Sequence, residues 1–189
     1  MGVYSIGKEL AVVRSQETAQ TKLQEQVTRL FEEARGDVYR YLLTLGIRPA
    51  QAQEATQEVF LRLYATLRKG EAIRNPRAWI FRVAHNYGLK IRARQDSEVA
   101  LDPELDSSVL AHAPDPEKEL AERERLLRFH RAVENLSDQQ RRCLFLRMEG
   151  LRYPEIGAAL GISTSAVGEF LRRAMDRLRR VRADWEGSR

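Results

Sequence analysis

The chain has 189 residues, enough for one large or two small domains, and its 43% apolar content can fill a packed core. Lys and Arg outnumber Asp and Glu by 32 to 27, a net charge of +5 that suits a nucleic-acid partner without demanding one. The lone cysteine, Cys143, excludes a disulfide framework within the chain, and no apolar run approaches membrane-spanning length.

Leu, Ala, Arg, Glu and Gln outnumber Val, Ile and Thr, a mix that favours helices, so the expected fold class is all-α. Residues 1–26 are mostly polar. Val3, Ile6, Leu10 and Val13 recur there at helical spacing, so this extension reads either as a short amphipathic helix or as a mobile tail. Lys8, Glu9 and Arg14 interrupt any signal-peptide core, and a cytoplasmic protein without membrane insertion is expected.

From Val27 the pattern strengthens. Val27, Leu30, Phe31, Ala34, Val38, Tyr41, Leu42 and Leu45 recur every three or four residues, and Gly46 supplies a stop. Pro49 opens a second helix with the stripe Ala52, Ala55, Val59, Phe60, Leu63 and Leu67, closed by Arg68, Lys69 and Gly70. Asn75 and Pro76 are a cap and first-turn pair for a third helix carrying Trp79, Ile80, Val83, Ala84, Tyr87 and Ile91. These helices close a first domain at 27–94. Residues 95–116 hold three prolines and several acids without periodicity, and read as a flexible linker. At 3.3–3.6 Å per residue such a linker spans at most roughly 75 Å. That is about 20 base pairs of duplex.

A second helical domain follows at 117–182, with a short tail at 183–189. Leu120, Leu126, Leu127, His130 and Val133 line its first helix. Ser137 with Gln140 three residues on is a capping box for a helix through Cys143, Leu144, Leu146 and Met148, which Gly150 ends. Cys143 sits between apolar neighbours as a small buried hydrophobe. Tyr153 and Pro154 start another helix, Gly161 breaks it, and Ser163 or Thr164 caps the last one.

Residues 153–174 have the requirements of a helix-turn-helix. Gly161 tolerates a left-handed turn, Gly157 and Ala158 are small enough for a steep crossing, and Ile156, Leu160, Ile162, Val167, Phe170 and Leu171 are apolar anchors. The last helix would then expose Ser163, Thr164, Ser165, Gly168, Glu169, Arg172 and Arg173, the earlier ones toward base edges and the arginines toward phosphates. Glu169 would repel phosphate but could accept from a cytosine amino group. In the first domain, Arg74, Arg77, Trp79, Phe81, Arg82, Tyr87, Lys90, Arg92 and Arg94 interleave cations with rings, which suits single-stranded nucleic acid. Trp79 itself lies on the apolar stripe and is expected in the core.

Three segments, in order, resemble one family. EATQEVFLRLY at 54–64, NPRAWIFRVAHN at 75–86 and LSDQQRRCLFLRMEGLRYPEIGAALGISTSAVGEFLRRAMDRLR at 136–179 are similar to the polymerase-binding, −10-reading and −35-reading segments of bacterial sigma factors of the extracytoplasmic-function class. The resemblance covers 27–94 and 117–182. It implies that Glu54, Gln57 and Glu58, with Phe60 and Leu61 beside them, contact core RNA polymerase. It also implies that the loop from Arg68 to Asn75 pockets a flipped −10 base, with Asn86 near that strand, so that with the interleaved cations the −10 contacts expected are Arg74, Asn75, Arg77, Arg82, Asn86 and Lys90. The partners implied are core RNA polymerase, promoter DNA and an anti-sigma factor. Residues 1–26 exceed the minimal architecture of the class. The acids Asp96, Glu98, Asp102, Glu104 and Asp106 read either as mimics of a phosphate chain or as a solvated spacer.

The competing reading is a stand-alone helix-turn-helix regulator, which would usually dimerise on a palindrome. The chain has no heptad seam, and that reading leaves EATQEVFLRLY unexplained. Catalysis is not expected. His85, His112 and His130 are scattered, and with Cys143 they form no metal or nucleophile spacing. No glycine loop for phosphates occurs, so neither cofactor nor metal is expected.

Overall fold

In a computed structural model of the protein, the backbone is described over residues 3–99 and 131–186, and side chains over 18, 20–97 and 131–180. Among the described residues there are helices and no strands. The chain divides into two compact units, Met1–Arg92 and Ala93–Arg189.

The amino-terminal unit is built from α1 (Val3–Thr44), α2 (Pro49–Arg68) and α3 (Pro76–Val99) up to Arg92. The extension read as a short helix or a tail is the first half of α1, continuous with the helix expected from Val27. No proline interrupts it, and its Gln, Glu, Lys and Arg are good helix formers. Among its described side chains Ala34, Val38, Tyr41, Leu42 and Leu45 are buried, while Leu23, Val27, Leu30 and Phe31 are half-buried. At the end of α1 the chain reverses through Gly46 at φ 81°, and Arg92 of α3 donates to the Leu45 carbonyl at 2.6 Å. That guanidinium satisfies an acceptor the helix end leaves open.

α2 begins at Pro49 and ends before Gly70, at φ 79°, as the sequence predicts. Its inner side is Ala52, Ala55, Thr56, Val59, Phe60 and Leu63, with Phe60 edge-on to Phe31 at 5.0 Å. Asn75 caps α3 by accepting from the Ala78 N–H at 3.1 Å. The helix faces inward through Ile80, Phe81, Ala84 and His85. Trp79, expected in the core, is half-buried, and Phe81 is fully buried in its place. The seat of α3 explains the rotation. Phe81 meets Tyr41 edge-on at 5.6 Å, and His85 Nδ1 shares a 3.0 Å hydrogen bond with the Tyr41 hydroxyl. α3 then runs to Val99, taking in the first five residues assigned to the linker.

In the second unit, residues 131–134 are helical and precede α4 (Asp138–Met148), α5 (Tyr153–Leu160) and α6 (Thr164–Glu186). The rest of the linker, Leu120, Leu126, Leu127, His112 and His130, and residues 187–189 lie outside the described residues. Ser137 and Gln140 form the expected capping box. The core is Ala132, Leu136, Cys143, Leu146, Leu151, Ile156, Ala159, Leu160, Val167, Leu171 and Ala174. Burial pushes the Cys143 thiol up to about 11.

Gly88 permits the close seat of α3. A Cβ there would lie 2.7 Å from Leu45 Cδ1 and 3.0 Å from Leu42 Cδ2 and Ile47 Cδ1. Gly168 is different, since a Cβ would only touch Tyr153 at 3.7 Å. Overpacking costs about 1–3 kcal/mol, and replacing a helical glycine with alanine returns up to about 1 kcal/mol. Urea denaturation should therefore show Gly88→Ala destabilising by about 1 kcal/mol and Gly168→Ala stabilising by a similar amount.

Candidate polymerase and nucleic-acid interfaces

Burial fixes which side of α2 remains outward. Glu54 and Gln57 are exposed, Glu58 is half-exposed, and Leu61 is 63% exposed. Their spacing of three and four residues puts them on one helix face. Phe60 does not join them. It is 4% exposed and packs on Phe31, so its ring supports the helix from beneath. Glu58 accepts from Arg62 Nε at 2.7 Å, and the Arg62 guanidinium lies 4.3 Å from the Tyr87 ring centroid. Arg62 thereby ties α2 to α3 and holds the acidic face level. The result is an isolated large apolar side chain ringed by carboxylates and an amide.

On α3 the expected strand-binding residues divide into two groups. Asn75 is the helix cap, and Arg77 is held by Asp37 at 2.7 Å and lies 5.6 Å from the Phe81 ring centroid. Both are engaged within the unit. Arg74, Arg82, Asn86 and Lys90 are exposed. The last three recur every four residues, about 6 Å apart along the axis. Arg82 and Lys90 form no ion pair among the described residues. Because α3 is anchored through Phe81, His85 and Gly88, this basic stripe stands on a fixed support.

The turn between α5 and α6 has the geometry that the sequence predicts. Gly161 is left-handed at φ 68°, and the Gly157 carbonyl accepts from both the Gly161 and Ile162 N–H groups. Gly157 is required for a second reason: a Cβ would sit 2.8 Å from the Ile162 carbonyl oxygen. The small residue beside it in the crossing is Ala159, at 2% exposure, whereas Ala158 is exposed. The two lie about 100° apart around the helix, and the buried register follows Ile156 and Leu160. Arg147 donates to the Leu151 carbonyl at 3.1 Å and braces the connection before α5, where Glu155 accepts from the Arg152 N–H at 2.8 Å.

Ser163 caps α6, accepting from the Ala166 N–H at 3.2 Å, and its hydroxyl lies 3.1 Å from that of Ser165. Val167 is buried and Phe170 half-buried, so Ser163, Thr164 and Ser165 lead the outward face. Behind them, Glu169 accepts from Arg172 Nη2 at 2.8 Å, Arg172 Nε at 3.0 Å and Arg173 Nε at 2.6 Å. Asp176 accepts from Arg172 Nη1 at 3.1 Å. Hydrogen bonds from the two guanidinium groups hold the Glu169 carboxyl down to about 2.

Several of these roles were hidden in the sequence. Asp37 and Arg77 are forty positions apart, and no spacing rule links them. The group formed by Glu169, Arg172, Arg173 and Asp176 did have a signal, since opposite charges at i+3 and i+4 meet on a helix. Among the described residues no group of His, Cys, Asp and Glu could hold a metal ion, and no helix is long and apolar enough to cross a membrane.

Residues 30–98 match the family model of sigma-70 region 2, and residues 126–178 match that of sigma-70 region 4. The ECF RNA polymerase sigma factor SigE of Mycolicibacterium smegmatis is 28% identical over 144 residues, which is 75% of this chain and 56% of SigE. The chain thus spans about half the length of that relative. The RNA polymerase sigma factor CnrH of Cupriavidus metallidurans is 30% identical over 144 residues, covering 71% of this chain and 75% of CnrH. Among solved structures, the sigma factor RpoE in complex with the anti-sigma factor NepR, from Bartonella quintana, is similar at a TM-score of 0.62 and 20% identity. That likeness covers 83% of this chain and 96% of RpoE, and it is a likeness of fold.

The Glu169 pairings have a direct spectroscopic signature. Its folded-state pKa is depressed, so the pairings persist above the ordinary carboxylate range and are lost only as pH falls through about 2. A carboxyl-detected NMR titration should place the Glu169 midpoint at about 2, well below the ordinary value of 4.5. Replacing Arg172 and Arg173 with alanine should move it up toward the ordinary value of 4.5.

Proposed function

The chain belongs to the sigma-70 family of bacterial RNA polymerase sigma factors, in the extracytoplasmic-function class, and from that premise we propose that it directs promoter-specific transcription initiation as a subunit of core RNA polymerase. The observation that carries this reading is the order of parts. A region 2 match and a region 4 match follow one another on one chain, each with an outward face suited to its task.

In this reading residues 27–94 form the region 2 module, 95–116 the linker and 117–182 the region 4 module. Glu54, Gln57, Glu58 and Leu61 dock on the polymerase, with Leu61 as the apolar anchor and the acids setting orientation. Phe60 contributes by shaping α2. Arg74, Arg82, Asn86 and Lys90 follow the unpaired −10 strand, while Asn75 and Arg77 fix the start of α3. Strand opening then needs no hydrolysis by this chain. Flipping a base costs a few kcal/mol, and a surface that holds the open strand shifts the equilibrium by the difference in its affinity for the two states. Ser163, Thr164, Ser165, Gly168, Arg172 and Arg173 face the −35 duplex.

The protein acts without cofactor, metal or enzymatic activity of its own, in the cytoplasm. RpoE is bound by the anti-sigma factor NepR, and CnrH has been solved with the cytosolic domain of CnrY. A protein of that kind, covering the outward faces of α2 and α3, is the proposed regulator of this chain.

The test is to mix the full chain with bacterial core RNA polymerase, separate the complex by size, and assay promoter-specific initiation. Co-elution with initiation is expected. A folded, regulator-free chain that binds DNA but never the polymerase would instead be a stand-alone regulator. Within the complex, burying Leu61 should contribute about 1.5–3 kcal/mol, so Leu61→Ala should weaken binding roughly ten- to hundredfold. Glu58→Lys should weaken it by about tenfold through charge reversal at the rim. Circular dichroism of both variants should remain that of the parent, because neither side chain is buried.

A further inference from the structure

The outward side of α6 is not a simple basic surface. Glu169, Arg172, Arg173 and Asp176 share it, so residues 169–176 carry no net charge, and Arg179 also lies 3.9 Å from Asp176. The pairing is not symmetric. Every nitrogen of Arg172 is engaged, Nε and Nη2 by Glu169 and Nη1 by Asp176, which leaves a spare N–H on each Nη. Arg173 is held only at Nε, and its two Nη groups make no hydrogen bond among the described residues. Its side chain is 60% exposed. A guanidinium fixed at Nε by a carboxylate, with its far edge open, is set to donate two parallel hydrogen bonds. Guanine presents the matching pair of acceptors, O6 and N7, in the major groove.

Both Glu169 oxygens are already accepting from these arginines. To take a cytosine amino group the carboxylate would have to release one of them. Its role therefore lies behind the arginines and not in front of them. The charge has a second effect. A free arginine is drawn to any phosphate, and each such contact adds about 0.9 to the salt dependence of binding. An arginine already paired to a carboxylate gains less from a phosphate, whereas the hydrogen-bond pattern of guanine still suits its open edge.

We propose that Glu169 is a specificity-determining positioning residue, which aims Arg173, with Arg172 braced beside it, at guanine in duplex DNA and suppresses sequence-independent binding. This rests on the reading of α6 as the duplex-reading helix of a sigma factor. It goes beyond that reading by assigning the base read and the means of discrimination.

The test uses the full chain, its E169Q and E169D variants, and two probes of about 20 base pairs. One is a duplex enriched by the parent chain from a randomised pool; the other is an alternating A·T duplex. E169Q keeps the side chain's size and removes its charge. It should bind the A·T duplex about three- to tenfold more tightly at low salt, with a salt dependence steeper by about one to two. Its preference for the enriched duplex should fall about tenfold. E169D keeps the charge on a shorter reach, so its A·T affinity should stay near the parent's while its preference falls. A purely structural role for Glu169 would weaken binding to both probes alike. Equal preference and equal salt dependence in parent and E169Q would overturn the proposal, as would failure of both chains to bind either duplex. Co-elution of the parent chain with core polymerase judges the sigma reading separately.

Discussion

Tyr41 is the side chain on which the amino-terminal unit turns. Fully buried near the end of α1, it meets Phe81 edge-on and shares a hydrogen bond with His85, both from α3. An aromatic pair of this kind adds about 0.5–1.5 kcal/mol beyond area burial. Losing the hydroxyl would also remove the hydrogen bond it shares with His85, worth about 0.5–1.5 kcal/mol. Around this contact the seam is closed by the Gly88 seat, the ion pair from Arg77 to Asp37 and the cap from Arg92 to Leu45. These fix the rotation of α3 about its own axis. Once Phe81 and His85 point inward, Arg82, Asn86 and Lys90 have nowhere to go but outward.

The two units solve different electrostatic problems. On α3 the outward Arg82 and Lys90 form no ion pair among the described residues, so their field extends toward any polyanion within about a Debye length, roughly 8–10 Å at moderate salt. On α6 the outward Arg172 and Arg173 are paired with Glu169 of the same helix, and their attraction is spent locally. In the proposed function this division is useful. A melted strand has to be captured wherever it opens, whereas a duplex element has to be picked out from a large excess of similar duplex. The first task favours open charge and the second favours charge held in check.

The helical plan was legible because its signals are local. Pro49, the Asn75 cap, the Ser137 capping box and the glycines at 46, 150 and 161 each act over one or two turns, and each delimits an element in the structure. The facing of α3 was less legible. Both Trp79 and Phe81 fit an apolar stripe, and only the position of Tyr41, forty residues upstream, decides between them. Ala158 and Ala159 raise the same ambiguity, resolved by the Ile162 carbonyl pressing on Gly157. At the candidate sites, residue type pointed to the right helices but not to each residue's state. Phe60 was read both as core and as contact surface, and packing on Phe31 settles its surroundings. Arg77 looks like any other cation of its run until Asp37 is brought beside it. Helical spacing alone could have revealed Glu169 with Arg172 and Arg173.

Cys143 sits at the centre of the carboxy-terminal unit, fully buried, with a thiol that burial keeps protonated far above neutral pH. It is the chain's lone sulfhydryl. An alkylating reagent in solution therefore meets no thiolate until the packing of α4 and α6 opens. The rate at which this thiol is modified becomes a clock for that opening, built into the native sequence and specific to one of the two units. Cysteines introduced on the outward faces of α3 or α6 would react at once, so surface labelling and core opening can be timed in the same molecule without removing the native residue.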